Sequence, residues 1–200
     1  MEFIAHRGNN NHDYLENSSL AFMKCFSTSY ISGVEMDVRL TLDDVLVVHH
    51  DNIKDSKLID HNNFNEFDNL ESLDYILSKL SNKKKIIIDI KVNNICIVDL
   101  LYNVLSKYDY DFYICSFNYS IASLFKKKYP SYKVVLIVGY FMNISNNNKY
   151  FDFLVVHYTL INRFKNPQFT WTVNDIFIYS LIKDKSSFVI TDKSYFLKDH

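Results

Sequence analysis

Short apolar runs alternate along this chain with longer stretches in which apolar residues recur at every third or fourth position. The runs Phe3–Ala5, Val34–Val38, Val45–His49, Ile86–Ile90, Phe112–Cys115, Lys133–Val138, Phe153–Val156, Phe169–Val173 and Phe188–Ile190 read as strands. Helical spacing falls between them, over Asn17–Tyr30, Leu70–Leu80, Ile95–Tyr108, Tyr119–Tyr129 and Asp175–Lys183. In the second stretch Leu70, Leu73, Ile76, Leu77 and Leu80 form one stripe, with Asn69 as the expected N-cap, and Pro130 closes the fourth. Near-continuous apolar strands such as KKIIIDI and YKVVLIVG predict a parallel sheet buried on both faces.

Nine strands are one more than a (β/α)8 TIM barrel needs. Val34–Val38 and Val45–His49 are separated by six residues, too few for a parallel crossover, so they are expected to form an antiparallel hairpin around Thr41–Asp44. Setting the returning strand aside leaves a compact barrel with a β-hairpin extension after its second strand. The regions 142–150 and 158–165 are only weakly patterned, and a doubly wound α/β sheet is the alternative.

Composition narrows the class of protein. The chain has 200 residues, 48% of them hydrophobic, enough for a single domain over 1–200 with its own core. With 22 basic and 23 acidic residues the formal charge is -1, which excludes an electrostatic footprint for nucleic acid. No apolar run approaches the ~20 residues of a membrane span, and no signal peptide is expected before the polar stretch that begins at His6. Cys25, Cys96 and Cys115 lack metal-site spacing and are expected to be reduced core residues of a cytoplasmic protein. Only three glycines occur, and Gly8 and Gly33 among them are expected where a side chain cannot fit.

In a parallel barrel the chemistry gathers at the C-terminal ends of the strands. Those ends carry His6-Arg7-Gly8, Glu35 and Asp37, His50-Asp51, Asp89 and Lys91, and Trp171-Thr172-Val173-Asn174. Glu35 and Asp37 share a face, as do Asp89 and Lys91. A two-residue turn at Leu42-Asp43 would set Glu35 directly opposite His50. Three carboxylates suit Mg2+ or Ca2+, Arg and Lys suit a phosphate group, and two histidines can act as acid and base on phosphorus.

At these residues the sequence resembles the glycerophosphodiester phosphodiesterase family, a group of metal-dependent (β/α)8 barrels. The matching pieces are AHRG at 5–8, LENS at 15–18, GVEMDVRLTLDDVLVVHHD at 33–51, IDIK at 88–91, SFN at 116–118, WTVN at 171–174 and VITD at 189–192. They are collinear over nearly the whole chain. The resemblance implies His6 and His50 as the acid–base pair and Glu35, Asp37 and Asp89 as ligands of a divalent metal, Mg2+ or Ca2+. It also implies Arg7 and Lys91 on phosphate oxygens and Trp171 as a wall of the pocket. The implied reaction cleaves a small-molecule glycerophosphodiester to an alcohol and glycerol phosphate.

Departures from the family pattern are local. Leu15 stands where the family has proline, Asp44 where it has glycine, and Asp89 where most bacterial members have glutamate. Sphingomyelinase D-type phospholipases share that aspartate. A phospholipase D-like activity on lysophospholipid or sphingolipid head groups is therefore one alternative, and an inactive phosphodiester-binding barrel is another. The segment Asn52–Phe67 is short and polar, so soluble diesters are the expected substrates. Glu16 reads equally as a helix-start carboxylate or an orienter of Arg7. His12, His61, His157 and His200 are expected on the surface.

Overall fold

The computed structural model describes residues 1–9, 14–139, 151–164 and 169–193. Its strands are β1 (Glu2–Ala5), β2 (Gly33–Leu40), β3 (Leu46–Val48), β4 (Ile53–Lys54), β5 (Lys57–Leu58), β6 (Lys85–Ile90), β7 (Asp111–Ser116), β8 (Lys133–Val138), β9 (Phe153–His157), β10 (Phe169–Trp171) and β11 (Phe188–Thr191). Among the described residues, eight strands run parallel in the order β1-β2-β6-β7-β8-β9-β10-β11, and the β1–β11 pairing closes them into a barrel. Closure removes the open edges that a doubly wound sheet would keep. The helices α1 (Ser19–Ser27), α2 (Leu73–Lys79), α3 (Ile97–Leu105), α4 (Tyr119–Lys128) and α5 (Ile176–Ile182) lie in the crossovers. The expected short segment at 158–165 is a 3-10 helix over Tyr158–Arg163, while 142–150 falls outside the described residues.

The period of two within each strand divides the molecule into two cores. Ile86, Ile88 and Ile90 of β6 pack outward with Leu73, Ile76 and Leu101 of the helices. Ile87 points inward to meet Ile4, Tyr113, Val135 and Phe188 in the barrel interior. Each such side chain, fully buried, contributes about 1.5–3 kcal/mol relative to exposure. Gly33 sits beside Lys85 at the start of the β2–β6 ladder, and a Cβ there would lie 2.4 Å from the Lys85 carbonyl oxygen.

Several local expectations are corrected. The β2–β3 hairpin pairs Leu40 with Leu46 and Val38 with Val48, one residue away from the register a two-residue turn would give. Its loop is longer because Asp44 adopts a left-handed φ of 60°, the conformation a glycine would take more easily. Glu35 is therefore not directly opposite His50. Ser72, not Asn69, caps α2 by accepting from Tyr75 N, whereas Asn69 turns the preceding chain at φ 52°. Asp175 itself caps α5, and α1 starts at Ser19, leaving Asn17 free to act elsewhere. Cys25 and Cys115 are buried, but Cys96 is exposed. No helix among the described residues is long and apolar enough to cross a membrane.

Candidate active site

The site begins with a turn that few sequences tolerate. Immediately after β1, residues His6–Gly8 form a single 3-10 turn in which Arg7 has φ 54° and Gly8 φ 70°. A Cβ on Gly8 would fall 2.7 Å from Cδ1 of the buried Phe22, so glycine answers both the backbone and the packing demand. This turn aims the Arg7 backbone N–H at Glu35 Oε2, 3.0 Å away, and sets His6 Nε2 3.9 Å from the same oxygen.

β2 and β6 supply the acids. Glu35, Asp37 and Asp89 are all buried, and one carboxylate oxygen from each lies within 4.8 Å of the others. Parallel pairing sets Asp37 beside Asp89 across the two strands. Lys91 Nζ bridges them, at 3.0 Å from Asp37 and 2.5 Å from Asp89. Arg7 Nε stands 3.1 Å from Asp37 Oδ2, and its Nη1 donates to Glu16 at 2.9 Å. Glu16 thus orients Arg7 and does not belong to α1. Asn17, held at φ 56°, grips Asp37 twice: its amide donates to Oδ2 at 2.8 Å and its Oδ1 accepts from the Asp37 backbone N–H.

These charges are not balanced. Burial, with the neighbouring Asp37 second, pushes Glu35 up to about 8. Burial also raises Asp89, against the opposing pull of Lys91. Asp37 alone is held below its ordinary value, because Lys91, Asn17 and Arg7 together overcome its burial. Among the described residues Asp89 Oδ1 is buried without a hydrogen bond, and Asp37 Oδ1 has only the Lys91 ammonium beside it. Three carboxylates crowded together so that burial and mutual repulsion disfavour their full ionisation, one with an unbonded oxygen, fit a hard divalent cation.

His6 precedes all three acids in sequence and His50 falls between Asp37 and Asp89, yet both histidines share one cavity of about 400 Å3. Its polar wall is His6, Arg7, Glu35, His50, Asp89 and Lys91; its apolar wall includes Ile87, Phe117, Ile137, Val155, Trp171 and Ile190. Asp37 lies behind this wall and acts on it through Lys91 and Arg7. His6 Nδ1 is 2.6 Å from Asp192 Oδ1. Burial disfavours its charged ring, but the Asp192 bond and the Glu35 charge outweigh that and raise His6 above its ordinary value. His50 Nδ1 is 2.8 Å from Asp51 Oδ1. Trp171 meets Phe117 edge to face at 5.8 Å, and its indole Nε1 is buried with no hydrogen-bond partner among the described residues.

Every candidate residue read from the sequence therefore lies in or directly against this cavity. Sequence reasoning assigned no role to Asp192, Asn17 or Asn174, although VITD, LENS and WTVN contain them. Their partners are 186, 20 and 18 residues away, respectively. His157 is also corrected: it is half-buried at the end of β9, 6.0 Å from the Trp171 ring, and caps the following 3-10 helix. His61 is exposed as expected, while His12 and His200 lie outside the described residues.

Fold and site together define a (β/α)8 barrel enzyme of the phosphoric diester hydrolase class, with its polar groups at the C-terminal mouth. The model of the Glycerophosphoryl diester phosphodiesterase family matches residues 6–167, and the chain belongs to that family. Its structure is similar to a glycerophosphodiester phosphodiesterase from Thermotoga maritima, 26% identical at a TM-score of 0.84, covering 99% of this chain and 97% of that one. A second, from Parabacteroides distasonis, is 23% identical at a TM-score of 0.84, covering 96% and 92%. An Oleispira antarctica phosphodiesterase solved with the product sn-glycerol-3-phosphate is 18% identical at a TM-score of 0.81, covering 96% and 93%. No curated protein sequence matches the chain.

Proposed function

We propose that this chain hydrolyses soluble glycerophosphodiesters to an alcohol and glycerol phosphate, as a single domain over residues 1–200 working in the cytoplasm. The observation that carries the reading is the buried carboxylate trio beside two histidines in one cavity. The product bound by the Oleispira antarctica phosphodiesterase supports glycerol phosphate as the retained half of the substrate. Free thiols at all three cysteines agree with a reducing compartment.

Glu35, Asp37 and Asp89 would hold Mg2+ or Ca2+, which supplies positive charge to the phosphoryl oxygens when bound. The chain's own residues do the rest. Arg7 and Lys91 offer cationic donors to the phosphate, each steadied by a carboxylate that keeps it charged and in place. One histidine of the His6–His50 pair takes a proton from the attacking oxygen. The other gives one to the departing alkoxide as its bond to phosphorus breaks. Asp192 holds Nδ1 of His6, and Asp51 that of His50, which leaves Nε2 of each ring for proton transfer. Trp171 and Phe117 wall the apolar side.

The test is turnover of glycerophosphocholine by purified protein, stripped of metal and then supplied with Mg2+ or Ca2+. Activity should depend on the cation and fall at least about a hundredfold in His6→Ala and in His50→Ala. Near wild-type kcat in either variant, or full activity without cation, would sink the proposal.

One observation favours a second reading, on lysophospholipid or sphingolipid head groups: exposed apolar side chains around the mouth. Phe117 lines the cavity at 43% exposure, while Leu15, between β1 and α1, and Phe177, in the first turn of α5, are 73% and 70% exposed. The ratio of kcat/KM between lysophosphatidylcholine and glycerophosphocholine decides. A tenfold preference for the lipid, equivalent to about 1.4 kcal/mol, would establish the second reading.

A further inference from the structure

The sheet ends just before His50. The last ladder bond of the β2–β3 hairpin runs from His49 N to the Asp37 carbonyl, at 2.9 Å. Beyond it the chain leaves β3 and turns towards the mouth. His50 is more than a third exposed there, and the partner of its ring, Asp51, is 74% exposed. Neither side chain is enclosed in the core. Something else has to define where this residue sits.

That something is Arg39, two residues beyond Asp37 on β2. Its Nε and Nη2 both donate to the His50 carbonyl oxygen, at 2.8 and 2.6 Å. Its Nη1 reaches Asn52 Oδ1 at 3.3 Å and, at 3.5 Å, the Lys91 carbonyl at the end of β6. One half-buried, planar guanidinium therefore joins β2, the His50–Asn52 turn and β6, next to two residues of the mouth. Only arginine presents several donors in so rigid a fork; lysine would bring a single point charge on a flexible stem.

We propose that Arg39 is a positioning residue for His50. It clamps the backbone carbonyl of His50, so that the imidazole meets the substrate in one orientation. It does not touch the reacting atoms. This inference rests on the acid–base role given to His50 above. Misplacing a reacting group by about 1 Å can cost on the order of a hundredfold in rate. Loss of the clamp should therefore appear in kcat.

Two other roles predict different results. Arg39 also borders a second, polar cavity of about 480 Å3 with Thr41, Asn52, Asp60 and Lys91. Were it a substrate-binding residue there, its loss would raise KM. Were it only a structural tie, its loss would lower stability and affect every variant background alike.

The experiment is a double-mutant cycle with glycerophosphocholine and saturating Mg2+. Arg39→Gln should lower kcat by about 10- to 100-fold with KM within about threefold of wild type. Arg39→Lys, which retains charge and stem, should fall in the same range without a matching loss of thermal midpoint. In a His50→Ala background, Arg39→Gln should cost less than about twofold, since there is no imidazole left to position. The proposal is overturned if Arg39→Gln and Arg39→Lys both keep wild-type kcat, if KM rises in place of the kcat loss, or if the full loss recurs without His50. Wild-type kcat in His50→Ala itself would instead refute the acid–base reading, and the role of Arg39 would fall with it.

Discussion

Replacing Asp192 by asparagine is an isosteric change whose cost can be worked from four hydrogen bonds. The Asp192 carboxylate faces two donors: His6 Nδ1 at 2.6 Å on Oδ1 and the Asn174 amide nitrogen at 2.6 Å on Oδ2. Asn174 cannot turn over, because its own Oδ1 accepts from the Asp192 backbone N–H at 2.8 Å and from Thr191 Oγ1 at 3.1 Å. An asparagine at 192 has one acceptor and one donor. If its oxygen faces His6, its NH2 opposes the NH2 of Asn174. If it flips, it donates to His6 Nδ1 and forces the proton of the neutral ring onto Nε2. Either arrangement leaves a part-buried polar group unsatisfied or selects the wrong tautomer, at about 1–3 kcal/mol. At about 1.4 kcal/mol per tenfold, that is a loss of roughly 5- to 150-fold in rate. The lost negative charge adds to this, since His6 holds the Asp192 carboxyl below its ordinary value against the opposing effect of burial. The assay is kcat for Asp192→Asn under saturating glycerophosphocholine and cation, with the thermal midpoint as control for folding. A folded variant within twofold of wild-type kcat would refute the reasoning.

Lys84 sends its ammonium to the carbonyls of Cys25, Thr28 and Ile31, at 3.0, 2.6 and 2.6 Å, closing the end of α1. Lys84→Met keeps the stem but strands these acceptors; with water reaching part of the site it should cost about 1.5–3 kcal/mol, lowering the midpoint by about 3–12 °C. Urea unfolding showing less than about 0.5 kcal/mol would contradict the assignment. Adding Mg2+ or Ca2+ at about a hundred times its dissociation constant should stabilise wild type by about 2.7 kcal/mol, and Glu35→Gln or Asp89→Asn far less. Identical thermal shifts in all three proteins would remove the proposed ligand set. Burial pushes the Cys25 thiol up to about 12 and also raises that of Cys115, while Cys96 is exposed. Ellman's reagent at pH 8 should thus react quickly with one thiol in the native protein and with three in guanidinium; two or more fast thiols would show that a buried site opens.

The strand count, the barrel and the identity of the polar strand ends were legible in the chain because each depends on local pattern. A strand buried on both faces must be apolar along its length, so KIIIDI and KVVLIV announce themselves, and an acid interrupting such a run is conspicuous. Gly8 was legible for a similar reason: in a sequence nearly without glycine, a retained one marks a place where a Cβ cannot go. Helix ends were less legible. Asn69 and Ser72 are both good caps by type, and only the path of the chain chose between them.

What the sequence by itself determined, then, was the set of side chains carried to the mouth. Parallel strands deliver their C-terminal ends to one side, whatever their exact register. Tertiary structure alone decided how those side chains are held. The turn at Asp44, in the left-handed region, moved the hairpin by one residue and undid the expected pairing of Glu35 with His50. Barrel closure brought β11 against β1 and so placed Asp192 on His6, a contact across 186 residues that no local pattern encodes. The grip of Asn17 on Asp37 and the clamp of Arg39 on His50 have the same origin. Hydrophobic periodicity records which face of an element is buried, whereas hydrogen-bond partners depend on distances between elements, and those exist only once the barrel has closed.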